Sequence, residues 1–448
     1  MKRSLRVLLV SLFAVSAGFG QPTLRLTLRE TAALAAGNNP LVLGAHHDVE
    51  AAEKQHSRAW REYAPTITAN AQYQYLNDDL ALKVDPITLP FFGQPVSIAV
   101  PPIPLLDRST LRADITATMP LFTGLRIESG IRATRHMVED ATAQDTLTLQ
   151  KQVTEALLDY HQVLLAQQNL AARTEALSTA KHHADDVRLI LEQGVATQYD
   201  RIRSDLAVAD AERAMTEAEN GAMLAEKALK KELCLPDSIR LELADSLTFS
   251  ERTVDLAQAL AAAEASRPEL HSLAEKKETV KALSAVETGK MLPQIGAFAK
   301  YELNKKALTQ LDPAWVVGLS ANITIFNGLK DLAAGQVYDL QGEKIDDLRH
   351  EVVDAIALEV RKYYADMQTA KRTVATTQTA LDLAREALRM AARRFETGTG
   401  TSLEVIDAQT SVVAMRTAHA AALHAYRSSY IQLVRSMGNT DLLLTGVF

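Results

Sequence analysis

Apolar and polar residues alternate with period two in four short segments of the chain. In residues 66–75 the odd positions are Ile67, Ala69, Ala71, Tyr73 and Tyr75, and the even ones are Thr66, Thr68, Asn70, Gln72 and Gln74. Residues 111–119 set Leu111, Ala113, Ile115, Ala117 and Met119 against Arg112, Asp114, Thr116 and Thr118. The pattern returns with Ile295, Ala297, Ala299 and Tyr301 in 294–303, and with Trp315, Val317, Leu319, Ala321 and Ile323 in 315–325. This alternation predicts four β-strands, each with one polar and one apolar face. A tilted transmembrane strand needs about 9–11 residues, as these runs have, but a half-buried sheet in water alternates in the same way. Four strands cannot close a barrel, and an open sheet in lipid would leave edge amides unpaired at several kcal/mol each. Membrane residence by these strands therefore requires oligomerisation.

A different pattern governs the longer segments. Between Gly124 and Gly194 there is no proline and only Gly130 among glycines, and between Gly328 and Gly398 only Gly335 and Gly342. Helices are predicted over 125–193 and 329–397, each about 100 Å long at 1.5 Å per residue. Ile356, Val360, Tyr363, Met367, Ala370, Val374, Thr377, Leu381, Ala384 and Leu388 form a heptad seam that has to pack on other helices. Helical composition resumes over 198–233 and 402–437, so Gly194 and Gly398 mark the turns of two helical hairpins. Shorter helices are expected over 28–63 and 254–290. Residues 79–106 hold Pro86, Pro90, Pro95, Pro101, Pro102 and Pro104, which predicts a long external loop with little regular strand.

The elements come twice. Pro40 and Pro65 recur as Pro268 and Pro293 at an offset of 228, while Phe122, Gly124, Glu155, Tyr160, Glu192, Gly194, Thr197 and Ile202 recur at 204 as Phe326, Gly328, Glu359, Tyr364, Glu396, Gly398, Thr401 and Ile406. The offset changes inside one segment, enlarged in the first copy. The expected organisation is a signal peptide at 1–20, a first repeat at 21–236, a linker at 237–253 and a second repeat at 254–448.

Composition narrows the function. Met1, Lys2, Arg3 and Arg6 precede a short apolar run ending in small residues, the layout of a secretory signal cleaved after Ala17 or Gly20. The net charge of -7 argues against nucleic acid as a partner. Cys234, the only cysteine, allows no disulfide framework and reads as a small buried residue. No stretch after the signal has the roughly 18–20 apolar residues of a membrane helix. The pairs His46-His47 and His182-His183 point in different directions on a helix and complete no ligand set, so no metal or other cofactor is expected. Neither a nucleophile elbow, a phosphate loop nor an HExxH element suggests an enzyme.

With these segments in place, the chain resembles the TolC family of outer-membrane efflux proteins along nearly all of its mature length. The most specific pieces are the hairpin turns, residues 394–409 (RFETGTGTSLEVIDAQ) and 191–197 (LEQGVAT). The resemblance implies an α+β membrane protein. Long α-helical hairpins would form a periplasmic α-barrel, and four strands per protomer would contribute to the twelve-stranded outer-membrane barrel of a homotrimer. It implies a passive exit channel whose partners are a membrane-fusion adaptor, an inner-membrane pump of RND, ABC or MFS type, and outer-membrane lipid. The tip turns Gly194, Val195, Ala196, Thr197 and Gly398, Thr399, Gly400, Thr401 would receive the adaptor. Glu404 and Asp407 match carboxylates that ring the constriction, although a carboxylate pair at a helix start is also stabilised by the helix dipole. Asp200 matches a residue that holds the closed tip by bonding to a tyrosine on the other hairpin. Phe395 stands in that tyrosine's place without a hydroxyl, and Gly400 replaces an arginine link, so closure here is expected to rest on packing or on other pairs. Two other readings are a type I secretion duct for polypeptides and a periplasmic coiled-coil adaptor or scaffold, the latter having no need of four matched strands.

Overall fold

The computed structural model describes residues 23–308 and 312–445, so the expected signal peptide lies outside it. The first copy runs β1 (Thr23–Leu26), α1 (Leu28–Asn38), α2 (Pro40–Trp60), β2 (Thr66–Tyr75), β3 (Leu80–Leu82), β4 (Ile87–Phe91), β5 (Gln94–Ile98), β6 (Ile103–Leu106), β7 (Ser109–Phe122), α3 (Arg126–Glu192) and α4 (Gln198–Glu232). After β8 (Arg240–Leu243) come α5 (Leu256–Ser266), α6 (Pro268–Thr288), β9 (Gln294–Glu302), β10 (Trp315–Asn322), α7 (Lys330–Glu396), α8 (Ser402–Ser436) and α9 (Thr440–Thr445). At both strand-to-helix turns a glycine and the leucine after it have positive φ: Gly124 at 65° and Leu125 at 63°, Gly328 at 74° and Leu329 at 59°. Leucine there costs roughly 1–2 kcal/mol, and both copies carry it.

The chain forms two compact units. Among the described residues the first draws on 23–49, 141–272 and 348–445. Its core gathers Val153, Leu157, Tyr160 and Val163 of α3, Val360, Met367 and Val374 of α7, and Leu423, Tyr426, Ile431 and Val434 of α8. Every position of the predicted heptad seam is buried or half-buried. Each expected lead helix is broken in two, at Asn39 (ψ 123°) and at Arg267 (ψ 120°), because a residue before proline is driven out of helical geometry. The break is put to use. Asn39 Nδ2 donates to Gln152 Oε1 (3.1 Å), to Glu232 Oε1 (2.9 Å) and to the last carbonyl of α4 at Glu232 (3.4 Å). Arg267 Nη1 likewise donates to the last carbonyl of α8, Ser436 O (3.3 Å), and pairs with Glu269 (2.8 Å) and Glu359 (3.0 Å). Orphan carbonyls at helix ends need such partners when buried.

Two further expectations for this unit are corrected. The linker is not merely a turn-rich connection, since β8 pairs in parallel with β1, Leu24 opposite Leu241 and Leu26 opposite Leu243. Tyr160 fixes that pair: its hydroxyl donates to Asp245 Oδ2 (2.8 Å), with Leu26 O at 3.1 Å, and Asp245 Oδ2 accepts from Leu28 N (3.0 Å). Cys234 is exposed rather than buried, and its φ of 54° places it in the left-handed turn that ends α4, where Leu235 N reaches back to Lys230 O (2.8 Å).

The second unit draws on residues 50–140 and 273–347 and holds one four-stranded antiparallel sheet, ordered β10-β9-β7-β2. The segment 79–106 departs from the expected loop. It forms two ladders, β3 with β6 and β4 with β5. Phe92 (φ 51°) and Gly93 (φ 81°) make the two-residue turn of the β4–β5 hairpin. Pro90 lies opposite Pro95 in the second pair from that turn. In a two-residue hairpin the second pair is the one without ladder hydrogen bonds, so neither missing N–H is needed.

Candidate functional site

The sheet separates its side chains into two rows. Ile67 lies opposite Ala117, Ala69 opposite Ile115 and Tyr73 opposite Leu111. The same face continues through Ile115 opposite Tyr301 and Ala117 opposite Ala299, then Trp315 opposite Tyr301 and Leu319 opposite Ala297. Ile67, Tyr73, Trp315, Val317 and Leu319 on that face are each more than 60% exposed, which in water would be a large uncovered apolar patch. The opposite face pairs Thr68 with Thr116, Asn70 with Asp114 and Gln72 with Arg112. There Asp114 accepts from Asn70 (3.2 Å) and Thr116 (2.9 Å) and pairs with Lys300 (3.3 Å). Phe298 covers Gly318, where an added Cβ would lie 2.8 Å from the ring. β2 and β10 each have one neighbour, so both edges of this sheet are open among the described residues.

The second candidate region is the pair of hairpin turns. In the first, Gly194 has φ 76°, and the carbonyls of Ile190 and Leu191 accept from Val195 N (3.1 Å) and Gly194 N (2.9 Å). Thr197 caps α4 reciprocally with Asp200, whose carboxylate accepts from Thr197 Oγ1 (2.6 Å) and N (3.0 Å). In the second, Gly398 has φ 72°, and Arg394 O accepts from Thr399 N (2.8 Å) and Gly400 N (2.9 Å). Gly400 is required by close approach, because a Cβ there would sit 2.8 Å from Arg394 Cβ and 3.2 Å from Phe395 N. Thr401 caps α8 through Glu404 N (3.2 Å), but the Glu404 carboxylate turns to Arg394 Nη1 (3.1 Å) instead of closing a capping box.

The candidate residues thus have separate placements. The hydrogen bonds of the Asp200 carboxylate are made to its own cap. Glu404 is half-buried and paired, while Asp407 is exposed one turn later and acts electrostatically on Arg203 of α4. Phe395 packs edge-on against His183, ring centroids 5.0 Å apart. Sequence reasoning gave no pairing role to Arg394 or His183 and took Ser402 only as an alternative to Thr401 for capping α8. His183 Nε2 lies 2.9 Å from Ser402 Oγ, with the two residues 5% and 2% exposed. Burial holds the His183 imidazole below its ordinary value, opposed by the Asp186 and Asp200 charges. The only available signal was that His183 belonged to one of the two histidine pairs, and those were weighed solely as metal ligands. His46 is instead paired with Asp145 at 2.6 Å. Among the described residues no group of three or more His, Cys, Asp or Glu could hold a metal ion, and no helix is long and apolar enough to cross a membrane.

Comparison with known proteins adds a sequence and a structural result. Residues 259–439 match the family model described as outer membrane efflux protein. A search of curated protein sequences finds no match. Among solved structures, CusC shares the fold at a TM-score of 0.75 and 16% identity, covering 95% of this chain and 96% of that one. The CmeC outer membrane channel of Campylobacter jejuni gives 0.73 and 15%, covering 92% and 85%. The open-state MtrE outer membrane channel of Neisseria gonorrhoeae gives 0.73 and 16%, covering 92% and 88%. The second repeat is thus similar to the outer membrane efflux protein family over residues 259–439, and the chain as a whole, with its four amphipathic strands and two helical hairpins, shares the fold of the CusC, CmeC and MtrE structures along nine-tenths of its length.

Proposed function

We propose that this chain is the outer-membrane exit duct of a tripartite efflux machine, assembled as a homotrimer and reaching into the periplasm. The observation that carries the reading is the four-stranded sheet with one apolar exposed face, one polar face and two open edges. A single copy cannot satisfy those edge amides in lipid, whereas three copies joined edge to edge make a closed twelve-stranded wall. The apolar row then meets lipid and the polar row lines water. The helical hairpins carry the conduit inward, and their turns offer the surface on which a membrane-fusion adaptor, coupled to an inner-membrane pump, docks. The duct supplies passage and the pump supplies energy.

Glu404 and Asp407 are placed at the constriction by this reading, with unequal weight. Arg394 neutralises Glu404 locally, so Asp407 supplies most of the field that favours cations in the pore. The test is reconstitution of the purified protein in a planar lipid film. Discrete cation-preferring currents, with recovery of the protein from outer-membrane fractions as a stable trimer, are expected. A monomer recovered from the soluble periplasmic fraction that passes no current would refute the duct and favour the scaffold reading.

A further inference from the structure

We infer that the buried contact between His183 of α3 and the start of α8, Ser402 with Phe395 beside it, is the latch that holds the two hairpins together at the tip and releases them on acidification. This rests on the duct reading, because only in a conduit does tip closure control passage.

The geometry differs from that of the other charged contacts near the turns. Pairs such as Arg188 with Asp205 (2.7 Å) and Lys181 with Glu212 (2.9 Å) are solvent-exposed and link α3 to α4 within the first hairpin. Exposed pairs of that kind contribute little. The His183 contact crosses from the first hairpin to the second and is dry: Nε2 meets Ser402 Oγ at 2.9 Å, the ring edge meets Phe395, and Ser402 is the first residue of α8. Phe395 contributes a packing surface for an imidazole, which needs no phenolic hydroxyl.

The neutral ring suits this place. The positive end of the α8 dipole disfavours a second positive charge beside Ser402, and burial disfavours it further. Facing groups moderate the penalty. Asp186 on α3 and Asp200 on α4 favour the protonated ring, while Arg394 and Glu404, flanking the second turn, are paired with one another. The latch is therefore intact above the ordinary imidazole value of about 6.5, and it weakens as pH falls through the lowered value of the buried ring. Across that window each pH unit shifts the closed-to-open ratio of one protomer by up to about tenfold.

The test reconstitutes the full trimer in planar bilayers and compares open probability at about pH 7.5 and about pH 5.5. Wild type is expected to open several-fold more often in acid. His183→Gln, which retains a polar neutral group, is expected to lose that response, and Ser402→Ala to raise open probability at the higher pH. A second readout needs no current: spin labels at Gln193 and Thr399 in a Cys234→Ser background report the separation of the two turns. Their distance distribution is expected to widen in acid only when His183 is present. Distances that respond without current at any pH would uphold the latch and overturn the duct. Currents or distances in His183→Gln that respond to acid as in wild type would overturn the latch, as would an unchanged resting current in Ser402→Ala.

Discussion

The internal repeat makes a quantitative prediction about the contact between protomers. Shifting β2 by 228 and β7 by 204 carries the pair Thr66–Thr118 onto Gln294–Asn322, which is the observed register of β9 with β10. The same shifts applied to the β7–β9 junction, where Ala117 lies opposite Ala299, generate the junction that the chain itself cannot make. That junction is β10 of one protomer against β2 of the next, with Ala321 opposite Ala71. Directly opposed residues in an antiparallel pair lie about 4.5–5.5 Å apart at Cα, inside the roughly 4.4–6.8 Å that a disulfide spans. A partner displaced by two residues adds about 6.8 Å along the strand, giving a separation near 8.5 Å that a disulfide does not bridge. In a Cys234→Ser background, Ala71→Cys with Ala321→Cys should yield covalent trimers after treatment with a lipid-permeant oxidant and non-reducing electrophoresis. Ala69→Cys with Ala321→Cys should stay monomeric, and Ala117→Cys with Ala299→Cys should close within one chain. Cross-linking by the displaced pair and not by the matched pair would refute the registration, and with it the use of the repeat to build the ring.

Further outcomes follow from single contacts. Gly400→Ala forces a Cβ against the Arg394 and Phe395 backbone; it should distort the second turn and raise resting conductance, whereas Ala196→Gly, at the equivalent place in the first turn, should leave conductance unchanged. Tyr160→Phe removes one donor from the Asp245 carboxylate, which keeps Leu28 N, and one from the Leu26 carbonyl, which keeps Ala244 N, at a cost of about 0.5–1.5 kcal/mol, so hydrogen exchange should accelerate in β1 and β8 before the core of α3. Glu232 is held above the ordinary carboxylate range by burial and then by the Glu155 and Asp159 charges. A carboxyl raised in the folded state stabilises below its unfolded value and loses that contribution as pH rises through the folded value. Glu232→Gln should therefore raise Tm near neutral pH, with the gain shrinking on acidification; an equal gain at every pH would exclude the charge explanation. Asp407→Asn and Glu404→Gln should each reduce cation preference in bilayer currents, since each removes one negative charge per protomer and the second also leaves the Arg394 guanidinium uncompensated; an unchanged preference in both would exclude these carboxylates from the pore.

The fold class was legible because periodicity is local. Alternation over Thr66–Tyr75 and a heptad seam from Ile356 onward follow from which side of an element meets an apolar surroundings, and that needs no knowledge of distant partners. Proline was read poorly both in the lead helices, expected to run unbroken through Pro40 and Pro268, and in the hairpin. Pro90 and Pro95 are tolerated because they oppose one another at a pair that needs no N–H, a property of register that the count of prolines does not contain. The β1–β8 pair was missed for a related reason: four residues carry too little periodicity, and their partners lie more than two hundred positions away.

The candidate site divides in the same way. Gly194 and Gly398 announced two turns, because positive φ in a tight turn is a property of a few consecutive residues. What the turns do to each other was decided elsewhere. Arg394 drawing Glu404 out of a capping box depends on how α7 and α8 meet across their own turn, and His183 reaching Ser402 from 219 positions away depends on how the two hairpins lie side by side. The sequence by itself determined the strands, the long hairpins and the doubled order, since each arises from interactions within a turn or two of chain. Only the tertiary structure decided which polar groups are dry and which partners they meet, because burial and pairing are set by packing between segments remote in sequence.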